Sequence, residues 1–129
     1  MAIGFERALS VHSQALEVRS RRAEILAANL ANADTPNYQA RDLDFKATLA
    51  GLQGRQGALE VTHAAHLQAK GGAPGAPLYR TPAQMAIDGN TVEEEQEKAA
   101  FADNALRYQA SLQFMGNRVQ GLLAAIRGE

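Results

Sequence analysis

A chain of 129 residues that is 46% hydrophobic but only 5% aromatic, with no Trp, has room for one domain with a thin, Ala-rich helical core. Its 13 Lys and Arg against 14 Asp and Glu leave a net charge of -1, which removes any global electrostatic case for nucleic acid or an anionic membrane. With no Cys, the chain has no disulfide, thiolate nucleophile or Cys-ligated zinc.

The opening stretch MAIGFERALSVHSQ places Glu6, Arg7 and His12 where a secretory leader needs an unbroken apolar run. No window approaches the ~20 apolar residues of a membrane span. The expected location is the cytosol, or beyond it by a route that removes no ordinary leader. From Phe5 the pattern is helical: Phe5, Leu9, His12, Leu16, Arg19, Ala23, Leu26 and Leu30 step by fours and threes, the spacing of a coiled-coil seam. A second stripe, Ala8, Val11, Ala15, Val18, Arg22, Ile25 and Asn29, runs beside it, so one helix has two faces to cover. Arg19, Arg21 and Arg22 form a basic run that reads first as a solvated face and second as a partner for an acidic surface. The run Glu93 to Glu97 is its natural complement, within one chain or between chains.

Pro36 pushes Thr35 to extended backbone, so the helix is expected to end near Asn32 or Ala33. Pro36 and Asn37 then fit the central positions of a β-turn, Asn being tolerated at positive φ. Asn29 and Asn32 are costly if buried alone, because an amide has four hydrogen bonds to satisfy. They suit a role in binding the departing backbone or a neighbouring helix; the alternative is two exposed Asn at a fraying end.

Between the ends the signals are weaker. Residues 42–51 read as a short helix with Phe45, Leu49 and Leu52 as its apolar positions. Leu59 to Thr62 and Tyr79 to Thr81 are weak strand candidates, Lys70 to Pro77 is a Gly/Pro linker, and Met85 to Asn90 reads as a short strand entering a turn at Asp88-Gly89. His63 and His66 could offer two imidazoles to a metal, but no third or fourth ligand stands at a recognisable spacing. Ser10, His12 and Asp34 lack a nucleophile elbow, and the Gly-rich loop lacks the Lys and Ser/Thr of a phosphate-binding loop. No catalytic residue, metal or cofactor is expected.

The last helix is the clearest. Thr91-Val92-Glu93-Glu94 fits a capping box, Glu93 to Glu95 put negative charge at the helix start, and Glu94 and Lys98 have the favourable i,i+4 order. Phe101, Ala105, Tyr108, Leu112, Met115, Val119, Leu122 and Ile126 make a charge-free stripe. The expected fold is mainly α, with coiled-coil helices in 1–34 and 91–129 and a turn, short helix, loop and short strands in 35–90. Helices of roughly 40 and 50 Å, laid antiparallel, bury one stripe each and leave apolar surface for helices of other chains. The expected interhelical knobs are Leu9, Leu16, Leu26, Leu30, Phe101, Tyr108, Leu112, Met115, Val119, Leu122 and Ile126.

The stretch AANLANADTPNY (27–38) resembles the N-terminal signature of the bacterial flagellar axial proteins, which form rod, hook and hook-associated segments. That signature reads Asn-x-x-Asn-x-x-Thr-Pro-Gly-Tyr, and Asn29, Asn32, Thr35, Pro36 and Tyr38 match it. Asn37 replaces the usual Gly, a mild departure because Asn is the next-best residue at positive φ. YQARDLDF, DGNTV and NALRYQA extend the resemblance to the short proximal-rod members, while residues 51–77 match poorly. The resemblance implies a subunit of the basal-body rod that spans the periplasm, exported through the flagellar type III apparatus without a cleaved signal. It further implies folding on assembly into a helical tube that transmits torque. By analogy the neighbours are other copies, other rod proteins, the adaptor FliE and the MS-ring. The competing reading is a cytosolic coiled-coil protein such as an export chaperone or scaffold.

Overall fold

The computed structural model describes residues 5–55, 75–84 and 86–128. The order is α1 (Phe5–Ala31), β1 (Arg41–Asp42), α2 (Phe45–Arg55), β2 (Leu78–Tyr79) and α3 (Glu94–Arg127). The fold is mainly α, as the periodicity requires, with two long helices packed together. β1 and β2 pair antiparallel, Arg41 opposite Tyr79 and Asp42 opposite Leu78. His63, His66, the strand candidate Leu59 to Thr62, the first part of the linker and Met85 lie outside the described residues, as does the side chain of Phe5.

α1 and α3 are antiparallel: Asn29, near the end of α1, meets Glu97 near the start of α3, and ten residues earlier the Arg19 carbonyl accepts from Asn104. α1 also contacts α2 and β1. Leu26 from one stripe and Val18 and Asn29 from the other are buried, and Arg22 is half-buried. In the C-terminal half of α1, therefore, the second stripe is covered within the chain, where the sequence pattern left it for other subunits. The reason is that β1 and α2 fold back over α1, held by Arg22 on Asp42. Among the described residues the buried set pairs Val18, Leu26, Ala40 and Leu43 with the polar Asn29, Thr48, Asn90, Glu97 and Asn104. So polar a buried set is held by hydrogen-bond geometry as well as by apolar area.

Helix ends follow local chemistry with one exception. Asp44 caps α2, its Oδ1 accepting from the Ala47 N–H at 3.0 Å, and α3 ends at Gly128 with φ 77 and its N–H on the Ala124 carbonyl. Glu94 and Lys98 pair at 2.7 Å. The capping box at the start of α3 does not form: Glu93 is the N-cap and makes no side-chain cap bond. Thr91 Oγ1 instead accepts the Ala40 N–H at 2.7 Å, and the Glu93 carboxylate takes the Ala83 N–H at 2.6 Å. The polar groups that would cap the helix tie distant segments together.

Residues 86–90 form no strand. Gly89, at φ 75, closes a turn onto the Ala86 carbonyl at 3.1 Å, and the Asp88 carbonyl accepts the Asn37 N–H at 2.9 Å. On α3 the buried and half-buried positions are Glu97, Ala100, Asn104, Tyr108, Ser111, Met115, Val119, Leu122 and Ala124. This face includes the predicted Tyr108, Met115, Val119 and Leu122 and leaves Phe101, Leu112 and Ile126 exposed. On α1, Leu26 is buried and Leu9, Leu16 and Leu30 are half-buried.

Candidate functional site: the junction of the two long helices

α1 ends where the sequence says it must. Thr35 accepts from Tyr38 N–H at 3.3 Å across Pro36 and Asn37, and Asn37 has φ 60, the conformation that Asn or Gly supplies at the third position of such a turn. Asn32 Nδ2 folds back onto the Ala28 carbonyl at 2.8 Å, and its Oδ1 accepts from Thr35 Oγ1 at 3.1 Å. These bonds use up groups that a helix end otherwise leaves to water.

Asn29 is fully buried and works across the junction. Its Oδ1 accepts the Arg41 N–H at 3.1 Å, while its Nδ2 donates to the Arg41 carbonyl at 2.7 Å and to Glu97 Oε2 at 3.1 Å. The side-chain amide thus exchanges a donor and an acceptor with one backbone residue, as a neighbouring strand would. The Tyr38 hydroxyl stands 3.5 Å from the same Oδ1, a long contact.

Glu97, 0% exposed, is held from its other side by Arg80 Nη1 at 2.6 Å. Arg80 Nη2 reaches Asp42 Oδ2 at 2.6 Å, and Arg22 grips both oxygens of Asp42 at 2.8 and 2.9 Å. Two guanidinium groups therefore alternate with two carboxylates from α1, β1, the residue after β2, and α3. Burial pushes the Asp42 carboxyl up, but bonds from Arg22, the Leu43 N–H and Arg80 outweigh it and hold it below the usual carboxylate range. The hydrogen bond to Asp42 in turn raises Arg22.

Asn90 is a second buried amide of the junction. Its Nδ2 faces the carbonyls of Asn32, Ala33 and Thr35 at 3.1, 2.6 and 3.0 Å, gathering acceptors of the turn that follows α1, and its Oδ1 takes the Val92 N–H. The motif residues Asn29, Asn32, Thr35, Pro36, Asn37 and Tyr38 thus sit together at the junction. Arg22, Asp42, Arg80, Asn90 and Glu97 complete it and were not singled out from the sequence as a site. For Glu97 a signal existed, because it stands seven residues before Asn104 on the same helix face. Asn90 carried none, since the three carbonyls it gathers come together only in the fold.

Within the chain, no ion pair among the described residues joins the basic run on α1 directly to the acidic run on α3. Arg22 binds Asp42, Arg21 pairs with Glu17 on its own helix, and the Arg19 guanidinium stacks 4.1 Å over Phe45. Each Arg faces a different direction around the helix, so a contiguous run in sequence is no single surface. Beside the junction an open groove of about 260 Å³ runs between α1 and α3, with Ala23, Phe101, Ala105 and Tyr108 among its walls. Gln14 Oε1, Arg19 Nε and Asn104 Oδ1 are buried without a partner among the described residues.

No helix among the described residues is long and apolar enough to cross a membrane, and no His or acidic cluster there could hold a metal. The arrangement ties a helix hairpin at one end. A family described as flagella basal body rod protein matches residues 9–39, the stretch that includes the turn motif. The chain is 47% identical over its whole length to the flagellar basal body rod protein FlgB of Aeromonas hydrophila, covering 99% of that protein. It is 50% identical to FlgB of Cereibacter sphaeroides over 98% of both chains, and 42% identical to that of Escherichia coli over 95% of this chain and 94% of the other. With identity of this level across the full length, the chain belongs to the FlgB family of flagellar basal body rod proteins.

Proposed function

We propose that the chain is a structural subunit of the proximal rod, exported through the flagellar type III apparatus and completing its fold as it docks on the growing tube. The observation that carries this reading is the contrast between the two ends of the helix pair. At the junction nearly every polar group is met within the chain, whereas along α3 Phe101, Leu112, Phe114, Leu123 and Ile126 stay exposed. A single hairpin cannot cover that surface, and rows of exposed apolar side chains mark an interface. Neighbouring helices of a tube would cover it. Before docking, the distal halves of α1 and α3 have few partners and are marginal helices, which suits passage through a narrow channel.

In this reading the junction is the rigid base of the subunit and the distal helix halves form the inner layer of the tube, transmitting torque through interlocked seams. The neighbours are other copies, other rod proteins, FliE and the MS-ring, and the rod lies across the periplasm. No catalytic role is proposed. A tagged chain should co-purify with basal bodies and protect against proteases only there. Recovery of the tagged chain solely as a soluble cytosolic complex would favour an export chaperone or scaffold and overturn the proposal.

A further inference from the structure

We propose that the Ile87 turn of one copy seats in the cleft between β2 and α2 of the next copy, forming a head-to-tail contact along the assembly. Resting on the rod-subunit reading, the inference names the partner of one specific surface. Ile87 is fully exposed, the only large aliphatic among the described residues presented without any cover. It stands on a turn that is already fixed: Gly89 N–H on the Ala86 carbonyl, Asn37 N–H on the Asp88 carbonyl, Asn90 N–H on Asp88 Oδ1 at 3.0 Å, and Gln39 Nε2 on the Gly89 carbonyl at 3.2 Å. A pre-ordered apolar knob loses little freedom on docking.

The complementary cleft has a volume of about 470 Å³ and is walled by Leu43, Phe45, Leu78 and Tyr79. Leu78 and Tyr79 are 62% and 68% exposed on a two-residue ladder whose Arg41 guanidinium lies 5.2 Å over the Tyr79 ring. Arg22, Lys46 and Arg80 also line the cleft, against Asp42 and Asp44. Asp42 is engaged by both Arg and Asp44 caps α2, whereas Lys46 is exposed and has no ion-pair partner among the described residues. The knob carries the opposite sign, with Asp88 next to Ile87 and one of its carboxylate oxygens free of the turn's bonds. Apolar side chain to apolar cleft and Asp88 to Lys46 is a single complementary match.

Knob and cleft are different surfaces of one chain, so the contact is heterologous. Each copy that joins presents a fresh knob or cleft, and such an interface generates rings or helical filaments.

The chain has no Cys, so an introduced pair reports without background. Two differently tagged chains, one Ile87→Cys and one Leu78→Cys, are expressed together in cells lacking the unsubstituted copy, mildly oxidised, and recovered in basal bodies. The expected product is a disulfide-linked dimer carrying both tags, with no linked product when either substituted chain is present alone. Both chains in basal bodies without the mixed dimer, Ile87→Cys linked to itself, or linkage to a protein of another mass overturns the inference and leaves the rod assignment standing. Should the Leu78→Cys chain fail to enter, Lys46→Cys, at an exposed position on the same cleft, replaces it under the same criteria. Absence of the unsubstituted tagged chain from basal bodies would instead remove the rod assignment.

Discussion

Asn29 offers Arg41 a donor and an acceptor at once, and in the same place it offers Glu97 a donor. An isosteric Asp keeps the acceptor, loses the donor and sets a second carboxylate about 3 Å from the first. Asn29→Asp is therefore expected to destabilise the junction by about 3 kcal/mol or more, the range for an uncompensated buried charge, and to exceed Asn29→Ala. Amide exchange at Arg41, whose N–H rests on Asn29, reads the difference. The turn gives a second case. Gly89 has φ 75, and a Cβ there would lie 2.5 Å from Asn37 Oδ1. Gly89→Ala suffers both backbone strain of roughly 1–2 kcal/mol and that clash. Adding Asn37→Gly removes the clash and leaves the strain, so the double variant should be more stable than Gly89→Ala alone in urea unfolding followed by Tyr fluorescence. The role of Asn37 was legible from its place after Pro36. The role of Gly89 as its neighbour was not, because 52 residues separate them and only the fold brings them together.

Elements were legible where the periodic signal was long. α1 and α3 follow from their stepping and from the Pro36 stop, and α2 from its apolar positions behind Asp44. The start of α3 differs from its local sequence pattern because the Ala40 and Ala83 N–H groups compete for the Thr91 and Glu93 oxygens and win. The apolar stripe on α3 runs through Phe101 and Leu112, which stay exposed in the lone chain, while the face turned toward α1 continues through Asn104 to Glu97. The short ladder β1–β2 has its own dependence on pH. The Asp42 carboxyl is held low in the folded state, so its contribution is fully present above the unfolded value of about 4 and is lost as pH falls through the lower folded value. The Arg80 amide, bonded to the Ala40 carbonyl, should lose its folded chemical shift in acid, and Asp42→Asn should flatten that part of the transition while lowering stability at neutral pH.

At the scale of the molecule, a polar junction closed on itself is joined to helices whose outer surface is still apolar. Leu112 is 42% exposed in the lone chain, so Leu112→Asp should leave the junction's exchange protection unchanged while abolishing incorporation into rods. Normal swimming in that variant would remove this face from assembly. If the isolated chain at micromolar concentration showed full exchange protection along both long helices, folding on assembly would be wrong. What the sequence could not convey was how much of α1 the chain covers by itself: Arg22 finds Asp42 twenty residues away, and β1, α2 and α3 all pack on the same helix. The rod assignment itself is tested most directly by deleting the gene and imaging isolated basal bodies by electron microscopy, with a labelled copy restored in parallel. Rings without a rod, and a rescued rod that carries the label, are the predicted result; complete rods formed without the chain would contradict it.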